Sequence, residues 1–365
     1  MRGLVALLVA VVLCALLGAA SADARLVARG SAEQVQVTGV KHRVHVLLFN
    51  KSGHRVQSRR ADSLGGLVFR NVKPGPGYRV RSGSSKSARL TVMSDRSAPP
   101  STKFYGQKIP SNGYGYLTTR DGTKLAIDVH LPSGKGPFPT LIEYSGYGYA
   151  NPVTAESSIE QIATLLGFAV VDVNMRGTGC SGGAFDYFER LQGLDGYDVI
   201  ETVAHQPWAL HHKVGMMGVS YGGISQLFVA ETRPPDLAAI APLSVIDNTA
   251  STIYPGGLLN TGFALQWAKD RVHDAEPASA TGGQAWALKQ IKAGDKTCKT
   301  NQVLHGDAVN LVSKTYANSF YVPKVADPLS PITFVHKINV PTFMACQWND
   351  EQTGGHCPDL AEHFT

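Results

Sequence analysis

Ser220 lies in Gly218-Val219-Ser220-Tyr221-Gly222, after an apolar run (214–219) and ahead of a stretch with helical character (224–232). A serine hydroxyl attacks a carbonyl only when a base takes its proton and the chain holds it clear of its own neighbours. A sharp strand-to-helix turn does the holding, and glycines two positions either side remove the Cβ atoms that would crowd it. The spacing is that of a nucleophile elbow; alone, it equally describes a Gly-rich turn. The rest of a relay would separate the two. In hydrolases with this elbow an acid follows at the end of a later strand, where it fixes a histidine tautomer and stabilises the imidazolium. Asp350 fits that place. It follows an apolar run (340–346) within Gln347-Trp348-Asn349-Asp350-Glu351, with Glu351 as second choice.

Other groupings carry less chemistry. Gly177-Thr178-Gly179-Cys180-Ser181-Gly182 has the spacing of a dinucleotide loop. Residues 183–187 read as irregular where the helix of such a loop should begin, so a tight structural loop is expected. There is no His-Glu-x-x-His and no paired Cys-x-x-Cys, and the sequence implies neither a metal nor a cofactor. His205 and the pair His211-His212 read as loop histidines. Cys180, Cys298, Cys346 and Cys357 allow three pairings. A bridge from Cys346 to Cys357, or from that loop to Cys298, would brace the acid; free buried thiols are the alternative.

A serine at a strand end needs a sheet behind it. Apolar runs at 126–131, 140–144, 168–174, 214–219 and 237–243 alternate with helical stretches at 155–166, 196–204 and 224–232. That alternation predicts an α/β fold, a doubly wound and mostly parallel sheet, led by an Asp-Gly hairpin over 114–125. From 246 to 337 the signals turn helical (258–274, 283–293 and 300–317), as in a cap inserted over an active site. Ahead of all this, short alternating runs over 35–93 predict a small all-β sandwich. The expected organisation is a leader (1–24), a sandwich (25–95), a Pro-rich linker (96–112), an α/β core (113–248 and 338–365) and a cap (249–337).

Charge divides the same way. Residues 25–108 hold 17 Lys and Arg against three carboxylates, whereas 111–365 hold 16 against 24. A basic module therefore precedes an acidic one. An anionic cell-envelope polymer or lipid headgroup is a candidate partner for the basic part, with a plain solvated face as the alternative; no nucleic-acid motif is present. Arg2, the apolar run 4–17 and small residues at 20–24 read as a secretory leader. The expected location is secreted, extracellular or cell envelope, where disulfides persist.

Three ordered segments carry a family likeness: Arg176-Gly-Thr-Gly-Cys-Ser-Gly-Gly183, then Gly196-Tyr-Asp-Val-Ile-Glu-Thr-Val-Ala-His-Gln-Pro-Trp208, then Gly215-Met-Met-Gly-Val-Ser-Tyr-Gly-Gly223. They resemble the cocaine esterase (CocE/NonD) and Xaa-Pro dipeptidyl-peptidase family of α/β-hydrolases, from about residue 114 onward. The resemblance implies Ser220 as nucleophile and Asp350 as acid. It implies an oxyanion hole made by the Tyr221 backbone N–H and the Tyr147 hydroxyl, with Tyr144 and Tyr149 as rivals for the second donor. It implies cleavage of an ester or Xaa-Pro-type amide of a small molecule or short peptide through an acyl-enzyme. The family histidine lies roughly thirty residues past the acid, ahead of a further β domain. His356 and His363 are too close to Asp350 to match it. The chain is therefore expected to lack its base and to be nearly inactive alone; the alternative is a non-catalytic, envelope-binding protein that works through the basic sandwich.

Overall fold

The computed structural model describes residues 25–153 and 158–365. The expected leader lies outside the described residues. Among those described, no helix is long and apolar enough to cross a membrane.

The N-terminal part is built from eight short strands: β1 (Val27–Ser31), β2 (Gln34–Thr38), β3 (His45–Phe49), β4 (Arg55–Arg60), β5 (Leu67–Phe69), β6 (Gly75–Ser82), β7 (Ser85–Lys86) and β8 (Leu90–Val92). They form two antiparallel sheets, β1-β2-β5 and β4-β3-β6-β7, with β8 also on β6. Period-two alternation explains the core: Val35 and Val37 of β2, Val46 and Leu48 of β3, and Tyr78 and Val80 of β6 turn inward.

The second part is a six-stranded sheet of β9 (Gly113–Thr118), β10 (Lys124–His130), β11 (Phe138–Ser145), β12 (Ala169–Asn174), β13 (Ala209–Val219) and β14 (Leu237–Leu243). The strand order is β14-β13-β11-β12-β10-β9. Both contacts of β10 are antiparallel, and the other three are parallel. This is the α/β-hydrolase arrangement, in which β13, between β14 and β11, delivers the elbow. The stretch at 340–346 lies beside β14 through two parallel bridges, Ile240–Thr342 and Leu243–Ala345, and is not a continuous strand. Pro341 has no N–H to give, and only its carbonyl is used, accepting from Ile240 N.

Two further expectations need correcting. The helix expected at 196–204 spans Arg190–Ala204 and so takes in Asp195. Gly193 hid its first turns, because glycine disfavours helix interiors, and both it and Gly196 face the next helix. They are there for packing: a Cβ on either would run into Phe228 or Val229 of the elbow helix Tyr221–Ala230. The helix expected over 300–317 is broken into Lys296–Asn301, a 3₁₀ turn Gln302–Asp307 and Leu311–Ala317. The 3₁₀ turn docks on the N-terminal sheets. Asp307 accepts from Arg59 (2.8 and 2.9 Å), from Arg70 (3.1 Å) and from Val68 N (2.7 Å).

The segment between the two parts is docked along its course. Tyr105 is buried and donates its hydroxyl to Asp198 at 3.0 Å. The cysteines pair as Cys180–Cys298 and Cys346–Cys357. The first ties the cap to the loop after β12, and the second closes the Asp350 loop.

Candidate active site

The elbow is strained where chemistry needs it. Ser220 adopts φ 57°, ψ −120°, a conformation a side chain rarely takes. Core packing enforces it: Ser220 N donates to Leu243 O of β14, and its own carbonyl accepts from Gly223 N and Ile224 N. A Cβ on Gly223 would overlap the backbone of Leu243, and one on Gly218 would meet the backbone of Gly222 at 2.9 Å. The turn fits only with glycine at these places.

Tyr147, just beyond β11, brings its Oη to 3.3 Å from Ser220 Oγ. Trp267 Nε1 donates to the same phenol oxygen at 2.9 Å. With one lone pair taken by the indole, the phenol keeps its proton and a second lone pair for the serine side. The Arg271 guanidinium lies 4.8 Å from the centre of the Tyr147 ring and is itself held by Asp274. The rivals go elsewhere. Tyr144 is buried and donates to Gln192 O at 2.9 Å, while the Tyr149 hydroxyl packs against Gly222. Tyr221 presents its N–H in the first turn of the elbow helix, where helical donors have no intrahelical acceptor. Its ring is buried edge-on to Tyr147, Phe188 and Trp267.

Asp350 is held by a different kind of support. Oδ2 accepts from Thr353 Oγ1 (2.7 Å) and Ser244 Oγ (2.9 Å), and Oδ1 accepts from Gln352 N (2.8 Å) and Thr353 N (3.1 Å). Partial burial opposes ionisation, but these donors outweigh it and hold the carboxyl below the usual range. Glu351 is exposed.

Ser220 opens into a cleft of about 1050 Å³ between the sheet and the cap. Ile224, Ile253, Phe263, Trp267 and Phe320 line it, and Gln352 and Thr353 of the acid loop border the same space. All 12 histidines are among the described residues, and none of them hydrogen-bonds Ser220 or Asp350. His205 and His212 bond backbone carbonyls, His305 is buried on Ser181 O, and His356 faces Asp359.

Sequence reasoning missed Trp267 and Arg271, although a four-residue spacing puts both on one helix face. It also missed Ser244 and the work of Arg176. That guanidinium is buried and takes both oxygens of Asp195 at 2.6 Å while reaching Asp121 at 3.1 Å. Asp121 in turn accepts from Ser31 and Gln36 of the sandwich. The Gly177–Gly182 loop closes on itself (Gly177 N to Gly182 O, 2.9 Å), and Gly179 is covered by Trp286 and Gln284. A pyrophosphate has no room there.

Residues 121–363 match the profile of the X-Pro dipeptidyl-peptidase (S15) family. A putative serine esterase of Mycobacterium bovis is 27% identical over 211 residues, which is 52% of this chain and 33% of that protein. A cocaine esterase of Rhodococcus sp. is 32% identical over 155 residues, 41% of this chain and 26% of that one. A CocE/NonD family hydrolase from Staphylococcus aureus superposes with a TM-score of 0.50 at 20% identity, covering 67% of this chain and 45% of its own. An aminopeptidase from a marine sediment archaeon (Thaumarchaeota) gives 0.53 at 15% identity, covering 73% and 47%. The two structural likenesses fix the fold. The matches span a third or less of the length of these two curated relatives.

Proposed function

Since the chain belongs to the X-Pro dipeptidyl-peptidase (S15) family of serine hydrolases, we propose that Ser220 is its nucleophile and that it forms an acyl-enzyme with an ester substrate. Tyr147 Oη and the Tyr221 N–H would hold the oxyanion, and Asp350 would orient the imidazole that takes the Ser220 proton. The observation that carries the ester reading is the lining of the cleft. Among the described residues it contains no carboxylate, and its one charged side chain is Lys314, already paired with Asp186. An Xaa-Pro dipeptide presents an α-ammonium that needs a carboxylate, whereas an apolar acyl or aryl ester does not.

No histidine of the chain bonds Ser220, so the base is the missing member. Turnover of an aryl ester by these 365 residues is expected to sit on the order of a millionfold below that of a complete triad. Imidazole added to the buffer should restore part of it, and that increment should vanish in Ser220→Ala. Full activity in plain buffer, abolished by His356→Ala or His363→Ala, would assign the base to this chain instead. Faster cleavage of an Ala-Pro anilide than of the ester would overturn the substrate class.

A second role, binding of an anionic envelope polymer, is favoured by one sheet face. Opposite the core, β3, β4 and β6 line up His45 with Arg60, Leu47 with Arg81, and Phe49 with Arg55 and Arg79. The Arg81 guanidinium lies 4.8 Å from the centre of the Phe49 ring. Both disulfides suit an exported protein, as does this partner. Sedimentation of the whole chain with cell walls should fall with added salt and with Arg79→Glu plus Arg81→Glu; salt-independent binding would exclude the electrostatic reading.

A further inference from the structure

A second concavity, of about 950 Å³, lies where the sandwich, the catalytic sheet and the cap meet. Its lining shares no residue with that of the Ser220 cleft. The register of β1 on β2 builds one wall. Val27 pairs with Thr38 and Arg29 with Gln36, so all four side chains share the sheet face that lines the groove. This sheet is not the one that carries Arg79 and Arg81. Another wall is the cap helix Lys296–Asn301, whose positions 296, 297, 300 and 301 fall on one face. Cys298 of that helix is buried and bridged to Cys180, which fixes the wall covalently to the loop after β12. Lys124, at the start of β10, joins the same lining.

Charge marks the groove out. Arg29, Lys124 and Lys296 line it, and among the described residues no carboxylate does. Residues 111–365 supply two of these cations although they hold more acids than bases, 24 against 16. Arg29 donates to Gly122 O at 2.8 Å, while Lys124 and Lys296 are exposed and pair with no carboxylate among the described residues. The acids next to the groove are engaged elsewhere. Asp121 Oδ2 accepts from Ser31 (2.6 Å) and Gln36 (3.1 Å) and lies 3.1 Å from Arg176. Asp295, beside Lys296, accepts from Thr297 N and Cys298 N on one oxygen and from Tyr116 on the other. Like charges around a concave surface focus the field and draw in an ion of opposite sign.

We propose that this groove binds a sugar phosphate, with the phosphate on Arg29, Lys124 and Lys296 and the sugar hydroxyls on Thr38, Thr297 and Asn301. A phosphate monoester carries nearly two charges at neutral pH and matches three cations better than a single carboxylate does. The arginine offers a planar fork, and the two lysines offer mobile point charges that can follow the anion. The neutral lining is rich in hydroxyl and amide groups, which both donate to and accept from a polyol. No aromatic side chain lines the groove among the described residues, so a nucleotide base has nothing to stack on. A ligand seated here would touch β1, β10 and the cap helix at once and would clamp the three parts together. Its contacts come from positions 29, 124 and 296, so no short motif announces them.

The test is a calorimetric titration of the whole chain with glucose 6-phosphate. One equivalent should bind, binding should weaken with added salt, and saturation should raise the thermal midpoint. Glucose alone and inorganic phosphate alone should each bind roughly tenfold more weakly or worse, since each makes only half of the contacts. Lys124→Gln together with Lys296→Gln should weaken the sugar phosphate roughly tenfold, through the loss of two charge-assisted contacts. Neither amine bonds anything in the fold, so this variant should melt like the parent. Ser220→Ala should leave binding unchanged. Arg29→Gln should also weaken binding; if it fails to fold for want of the bond to Gly122, the lysine pair decides. Absence of binding at millimolar glucose 6-phosphate would overturn the proposal, as would binding that survives loss of both lysines. Inorganic phosphate bound as tightly as the sugar phosphate would overturn the assigned ligand class.

Discussion

The proposed nucleophile, Ser220, and the proposed acid, Asp350, rest on opposite kinds of support. Ser220 is fixed by core packing: β14 accepts its N–H, the elbow helix takes its carbonyl, and backbone crowds the adjacent glycines. Asp350 is fixed by its own loop, by two backbone N–H groups and a hydroxyl within three residues plus Ser244, inside the Cys346–Cys357 bridge. The oxyanion side belongs with the first kind, since Tyr147 is pinned by Trp267 and flanked by Arg271. The contrast teaches that the side proposed to stabilise charge is built into the core. The proposed acid hangs on a loop instead, and no histidine of this chain hydrogen-bonds it.

The sharpest way to break the comparison is Ser220→Ala. It should remove the whole imidazole-dependent increment in aryl-ester turnover while hardly changing the rate in plain buffer. Without a base, serine contributes little, and the residual rate comes from binding and the oxyanion hole. A large loss in plain buffer would show that a base is already at work.

Next in size is Tyr147→Phe. It should lower the plain-buffer rate by about 10²-fold, the loss of one oxyanion donor. Trp267→Phe removes only the bond that aims the phenol and should cost roughly tenfold, in kcat and not in KM, because the cleft keeps an aromatic wall. Equal losses in both constants would make Trp267 a binding residue.

Asp350→Asn should leave plain-buffer turnover unchanged and lower the imidazole increment only severalfold, because a diffusing imidazole needs little orienting. A change in plain-buffer rate would mean that the acid loop shapes the oxyanion side too.

The smallest effect concerns pH at the contact between the two parts. Glu189, which accepts from Gln34 of β2 at 2.5 Å, is pushed from 4.5 to about 7 by burial and by Asp186, against the pull of Arg176 and Arg70. The folded chain therefore binds more protons than the unfolded chain between pH 4.5 and 7, and this group's contribution to stability falls as pH rises through that window. Asp121 works in the opposite sense. Burial resists its charge, but Arg176 and Ser31 hold it below the ordinary range, so its stabilisation is complete above its unfolded value and is lost on acidification. Melting curves from pH 5 to 7.5 should slope downward, and Glu189→Gln should lessen the slope without removing it, since burial also pushes Asp195 and Glu201 up to about 7.

Much of this architecture was legible because its signals are periodic. Alternation exposed the small strands, and the nearly all-apolar run before Asn174 marked a buried parallel strand. What stayed hidden depends on partners distant in the chain. Gly193 reads as a helix breaker until Phe228 lies against it. Tyr144, Tyr147 and Tyr149 offer the same phenol within six positions, and only the neighbours of each hydroxyl tell them apart. Gly306 lies close against Asp62, and Asp307 beside it interrupts a helical stretch because it serves Arg59 and Arg70, some 240 positions earlier.

That last contact has a thermodynamic consequence. The turn Gln302–Asp307 has its fixed point on the N-terminal sheets, and the same sheets grip Asp121 at the base of the catalytic domain. Sandwich, cap turn and catalytic sheet thus share boundary conditions, and heating should melt them as one cooperative body. The N-terminal part is then a built-in brace for the roof of the cleft, whatever else it binds.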